Sequence, residues 1–130
     1  MRGFAAFARD RSGATALEFA LVVGPFLMLL MGGFNAGYAL YSGAAVRNAV
    51  QGAARTLILS PNTTSDALTA KAKASLVDVP VQNLAVRVAK TTVSGANVAN
   101  VSWTYDYPLS VPLLPSKAFS FGSSVTVPLP

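Results

Sequence analysis

The hydrophobic positions along the chain change their pattern twice. No charged side chain occurs from Phe19 to Val46, and residues 19–34 carry no polar side chain at all. A helix that crosses the hydrocarbon core of a bilayer needs about 20 predominantly apolar residues. Residues 17–38 provide that length, so the sequence predicts a membrane-spanning helix near its start.

The helical pattern continues beyond the apolar run but becomes amphipathic. Four apolar residues recur at helical spacing on one face: Val46, Val50, Ala53 and Leu57. Three polar residues lie on another face: Arg47, Gln51 and Arg55. Pro61 then favours termination of this helix, because proline cannot continue it. A single helix from about Ala14 to Leu59 would be about 69 Å long, so we expect its upper half to pack on another part of the chain.

A shorter helix is predicted over residues 65–78. Thr64 or Ser65 can serve as its N-cap, Asp66 lies in its first turn, and Pro80 closes it.

Three stretches follow in which apolar and other residues alternate. Alternation with a period of two residues predicts strands with one buried face. Their inward-facing positions are Leu84, Val86 and Val88; Val101, Trp103, Tyr105 and Tyr107; and Phe119, Phe121, Val125 and Val127. Ser94-Gly95 predicts the first turn and the proline-rich residues 108–115 the second connection. The expected fold is α+β, with a three-stranded antiparallel sheet covered by the apolar stripe of the long helix. The aromatic residues of the second stretch are therefore interpreted as core rather than as an adhesive patch.

Composition supports a membrane protein without enzymatic chemistry. Of the 130 residues, 52% are hydrophobic and 12% charged, against roughly a quarter charged in ordinary soluble domains. The chain has neither Cys nor His, which excludes thiol nucleophiles, cysteine-ligated zinc and the commonest general base. No nucleophile–base set, paired carboxylates or phosphate loop occurs either. We expect no enzyme activity, no metal and no cofactor.

The net charge of +5 is divided between a basic leader and dispersed positions. Arg2, Arg9 and Arg11 precede the apolar run, whereas the other basic residues form no cluster, so nucleic-acid binding is not expected. By the positive-inside rule the N-terminus stays in the cytoplasm and the rest is translocated. A secretory signal peptide cleaved after Gly37 or Ala39 is the alternative, but the apolar run is longer than such peptides require.

One acid, Glu18, stands at the start of the apolar run. Inserting a carboxylate into hydrocarbon costs on the order of 2.5–3.5 kcal/mol, so the presence of Glu18 at this position needs an explanation. Its charge and position alone leave two interpretations open: an interfacial acid near Arg11, or a functional group.

The residues around Glu18 resemble a known processing site. A basic leader ends in Gly13, and Ala14, Thr15, Ala16 and Leu17 separate it from Glu18 and the apolar helix. This arrangement is similar to the prepilin cleavage site of type IV pilins and pseudopilins. Together with residues 45–55 and a strand-rich C-terminus, it resembles the TadE-like family of Tad (Flp-type) pilus systems. The resemblance is strong over residues 9–59 and loose over 80–130.

The resemblance implies specific roles. A prepilin peptidase would cut after Gly13 and leave Ala14 as the new N-terminus, and Glu18 would neutralise the Ala14 amine of a neighbouring subunit. An intrachain pair is the alternative, because Ala14 and Glu18 are four residues apart on one helix. Gly24-Pro25 is expected to kink or locally melt the helix. Gly33 and Gly37 form a GxxxG pattern that allows close helix packing, although a chance occurrence in a glycine-rich segment is as plausible.

The predicted organisation is a leader over residues 1–13, a transmembrane and filament-core helix over 14–42, and an extracytoplasmic head over 43–130. The implied partners are the prepilin peptidase, other pilin subunits of the same or another kind, the inner-membrane assembly platform, and membrane lipid before assembly. The implied location is the bacterial inner membrane with a periplasmic head, then an extracellular filament. The alternative from another class is a membrane-anchored binding domain that never polymerises.

Overall fold

A long helix joined to a small α+β head forms the molecule. The computed structural model describes residues 12–130, so the predicted leader up to Arg11 lies outside the described residues. The elements are α1 (Ser12–Ala54), α2 (Thr56–Leu59), α3 (Ser65–Ala74), β1 (Leu84–Val93), β2 (Ala96–Leu109) and β3 (Lys117–Pro128). The predicted α+β class is confirmed.

The predicted single helix is almost continuous. Arg55 separates α1 from α2, and Ile58 N–H donates to the Arg55 carbonyl across three residues rather than four (3.2 Å). The backbone therefore tightens by a local 3₁₀-like turn without leaving the helical direction. Ser60 N–H closes the end on the Thr56 carbonyl (2.8 Å), just before Pro61.

The sheet is an antiparallel meander in the order β1-β2-β3. Val86 lies opposite Trp103, and Tyr105 lies opposite Phe121. Ser94 and Gly95 form the β1–β2 turn with φ of 53° and 84°, as a two-residue hairpin of this hand requires. β2 is longer than the stretch of alternating residues that predicted it. Its end includes Pro108, which pairs with Ala118 of β3 and has no partner on β1, because β1 begins opposite Tyr105.

The core lies between the sheet and one face of the helix. All four residues of the predicted helical stripe are buried, and the predicted polar face is exposed. The aromatic residues Trp103, Tyr105 and Tyr107 belong to the same core, so their interpretation as core is confirmed.

Two expectations need correction. The helix predicted over 65–78 ends at Ala74, because the chain turns there to bury Val79 and to bring Asp78 to α1. Phe119, expected on the buried face of β3, is 44% exposed. The inward face of β3 is covered unevenly along its length, since Val127 near its end is buried whereas Phe119 near its start is not. The predicted N-cap is confirmed at Thr64, whose hydroxyl accepts from Ala67 N–H (3.3 Å).

Candidate functional site

The first half of α1 is exposed on every side. We call residues 13–38 the lower helix and residues 39–54 the upper helix; the head comprises the upper helix, α2, α3 and the sheet. Among the described residues, none from 13 to 38 is buried, and Ala39 is the first that is. Many large apolar side chains of the lower helix face outward, including Phe19, Val22, Leu29 and Phe34. Over most of its length, this apolar helix has no cover among the described residues, which is typical of a helix that contacts lipid or other helices.

The predicted processing residues lie together at the start of this helix. Gly13, Ala14 and Glu18 are all helical and exposed. A Cβ atom added to Gly13 would meet nothing within 4 Å. Within the part of the chain that the structure describes, Glu18 makes no hydrogen bond or ion pair. The carboxylate is thus available to a group from outside the described chain.

Helix α1 continues through the predicted break. Gly24 and Pro25 lie inside its helical range. The helix is not melted there, and a bend at Pro25 stays a prediction.

Gly33 and Gly37 line a shallow groove on the lower helix. The volume of the groove is about 560 Å³. Its other lining residues have large aliphatic or aromatic side chains: Leu29, Leu30, Phe34, Tyr38 and Tyr41. Neither glycine has an atom within 4 Å of where a Cβ would stand. The groove can therefore accept ridges from another helix, as the GxxxG pattern predicts.

The head begins to contact α1 at Asn35. Asn35 Nδ2 donates to the Ser110 carbonyl (3.4 Å), and the Tyr38 hydroxyl donates to the Asp78 carbonyl. The rings of Tyr38 and Tyr107 meet edge to face with centroids 5.7 Å apart. These contacts begin several residues before residue 43, and the division predicted between the filament-core helix and the head at that residue stays a prediction.

Two buried hydroxyl groups face each other within this packing. Ser42 and Tyr105 are both fully buried, and neither oxygen makes a hydrogen bond of normal geometry with the described residues. Burial raises the pKa of the Tyr105 phenol, and the nearby Ser42 hydroxyl partly offsets that rise.

Sequence reasoning missed the residues that fix the helix against the sheet. Gly43 is buried, and a Cβ placed on it would lie 2.9 Å from the Phe121 ring. Asn35 is the first polar side chain after the apolar run, a signal that could have indicated the junction. Ser42 and Gly43 do not continue the four-residue spacing of Gly33 and Gly37 and had no separate signal in the sequence.

The described residues hold no group of three or more His, Cys, Asp or Glu side chains that could bind a metal. The site therefore consists of an exposed apolar helix, one carboxylate near its start and a close-packing groove near its end. Such an arrangement can bind helices and lipid.

The family model described as TadE-like protein matches residues 13–55. The resemblance suggested by the sequence is thus confirmed over the helix, from the predicted cleavage residue to the end of α1. The match ends before the sheet. No curated protein and no solved structure matches the chain.

Proposed function

We propose that this chain is a structural, pilin-like subunit of a Tad (Flp-type) pilus. A prepilin peptidase cleaves it after Gly13, and subunits assemble by packing their lower helices together. The TadE-like match and the membrane-capable helix fit a membrane-anchored component of such a system. The assembly platform and further pilin subunits are its proposed partners, and the filament is its proposed destination.

The observation that carries the proposal is that the lower helix contains no buried residue and is uncovered up to Phe34 among the described residues. A bilayer covers these side chains in the unassembled protein, and neighbouring helices replace the lipid in a filament. The groove at Gly33 and Gly37 supplies a place where another helix can approach closely. The head buries its own core without the lower helix, so extraction from the membrane need not disturb it.

Glu18 supplies the electrostatic part of assembly. Cleavage at Gly13 creates an α-amino group that is cationic at neutral pH. Between packed helices, a buried amine and a buried carboxylate are each costly alone, whereas together they offset much of that cost. The exposed Glu18 carboxylate can reach a neighbour's Ala14 amine, which would fix the axial position of successive subunits.

Processing is tested first. The full chain is expressed with its cognate prepilin peptidase, and mass spectrometry should find Ala14 as the first residue. Gly13→Val should block cleavage without disturbing the fold, because the space around Gly13 is open. Gly32→Val, which is also in open space on the lower helix, is the matched control and should be cleaved. An intact leader despite active peptidase would contradict the pilin proposal and favour the non-polymerising anchor.

Assembly is tested with Glu18→Gln. Breaking a buried ion pair from one side costs about 3–5 kcal/mol, and the loss repeats at each subunit. We expect normal cleavage, membrane accumulation of the cleaved protein, and loss of sheared filaments. Asp66→Asn removes a carboxylate from the exposed start of α3 and should leave filaments unchanged. Normal filaments from the Glu18→Gln protein would show that the proposed pair is dispensable.

A further inference from the structure

Strand β2 runs down the helix toward the membrane-spanning segment. Its Tyr105 lies beside Ser42, its Tyr107 beside Tyr38, and Ser110 just after it contacts Asn35. Each step along β2 thus meets a residue closer to the start of α1. The loop that follows β2, residues 110–116, therefore lies at the membrane-side end of the head.

This loop presents apolar side chains outward. Leu113 is 86% exposed and Leu114 is 63% exposed, in a turn closed by Leu114 N–H donating to the Val111 carbonyl (3.2 Å). Leu113 has a φ of 69°, a backbone region that non-glycine residues rarely adopt. Strain of this kind persists where the surrounding structure enforces it, and it often accompanies function. Here it accompanies a bulky apolar side chain that the head leaves uncovered.

The level of the loop along the helix coincides with the edge of a bilayer. If the hydrocarbon core begins near Leu17 and is about 30 Å thick, it ends about 20 residues later, near Gly37. Asn35, which contacts the loop, lies inside that limit. Tyr38 and Tyr41 follow at the level where tyrosine rings concentrate at membrane interfaces.

We propose that the tip of the 110–116 loop, formed by Leu113 and Leu114, inserts into the same bilayer that α1 spans. The ligand of this surface is the lipid of the leaflet nearest the head. The proposal rests on the membrane-anchored state in the proposed function, and it concerns the subunit before assembly. With α1 and the loop both held by lipid, the head acquires a second membrane contact and a fixed orientation relative to the bilayer.

Single-cysteine labelling can measure this insertion, because the natural chain contains no cysteine. The full chain, without peptidase, is placed in vesicles of phosphatidylcholine and phosphatidylglycerol, and a nitroxide is attached at Leu113→Cys. Leu59→Cys is the matched control, since Leu59 is 85% exposed but lies at the end of α2, away from the spanning segment. Leu27→Cys marks the bilayer interior. Trp103 fluorescence verifies folding of each variant.

The nitroxide at position 113 should be several-fold more accessible to oxygen than to a water-soluble nickel complex, as at position 27. Position 59 should show the reverse. Leu114→Cys provides a second label should the substitution at 113 disturb the turn, and it should behave like position 113.

Preferential nickel access at both 113 and 114, or shielding from both reagents, would overturn the insertion while leaving the pilus proposal intact. Nickel access at position 27 would show that the lower helix does not lie in the bilayer, and it would contradict both proposals.

Discussion

The two halves of α1 carry similar apolar residues but bury them differently. Leu29 and Phe34 in the lower helix are more than three-quarters exposed, whereas Val46 and Val50 in the upper helix are fully buried. The upper helix has its partner in the same chain, namely the sheet. In the described chain the lower helix contacts the sheet and loops only near its end, at Asn35 and Tyr38, so cover for the rest of it must come from outside the described residues.

The two halves of α1 differ in their polar residues rather than in their apolar ones. The upper helix has an exposed polar face that includes Arg47 and Gln51, which gives it one orientation on the sheet. The lower helix lacks such a face over residues 19–34. A helix that is apolar all round can rotate and exchange neighbours without exposing charge, which suits the passage from membrane to filament that we propose for this segment.

Removing a buried leucine should have the largest effect on the head. Leu57 on α2, which continues the upper helix, is 0% exposed. Leu57→Ala should lower the free energy of unfolding by about 2–5 kcal/mol. Leu29→Ala, the same change on the lower helix, should leave it nearly unchanged. Urea unfolding in detergent, followed by Trp103 fluorescence, measures both. Equal losses would mean that the lower helix also packs on the head.

Adding a methyl group at a glycine should also have different effects in the two halves of the helix. Gly43→Ala places a Cβ 2.9 Å from the Phe121 ring and should cost about 1–3 kcal/mol by overpacking. Gly37→Ala meets open space and should not destabilise the head, yet it narrows the groove proposed for helix packing. We therefore expect it to reduce filament yield. A Gly37→Ala protein that forms normal filaments would argue against that groove as an assembly contact.

The same physical contrast explains which features the sequence could predict. Val46, Val50, Ala53 and Leu57 recur at helical spacing beside charged residues, so their burial followed from periodicity. The strand that contains Trp103 and Tyr105 was equally clear. Glu18 attracts notice because a lone acid in an apolar run is costly, whatever the fold, but its role in assembly stays a prediction.

Other features depend on long-range contacts that periodicity does not encode. Asn35 and Tyr38 join the head through the carbonyls of Ser110 and Asp78, which belong to distant loops. Phe119 is exposed and Val127 is buried on the same face of β3, a difference in tertiary cover that alternation does not encode. Periodicity therefore gave no indication that contacts between the helix and the head begin at Asn35.

The smallest expected effect concerns Tyr105 and appears only at alkaline pH. Its hydroxyl is buried without a normal hydrogen bond, so Tyr105→Phe should change stability at neutral pH by less than about 1 kcal/mol. Burial raises the pKa of Tyr105, so the folded protein retains a proton that the unfolded chain releases above about pH 10. Stability should then fall with rising pH, with a slope from this group of at most about 1.4 kcal/mol per pH unit.

Tyr105→Phe should remove that part of the loss, so that its unfolding free energy falls less between pH 9 and pH 11 than that of the natural chain. Tyr41→Phe is the matched control, because Tyr41 is 57% exposed on α1 near the junction; it should follow the natural chain. Urea unfolding at the two pH values measures the difference. The same alkaline loss in all three proteins would mean that the Tyr105 phenol ionises as readily in the folded head as in the unfolded chain. That outcome would require water to reach the helix–sheet interface, and the upper helix would then be less completely covered than its burial indicates.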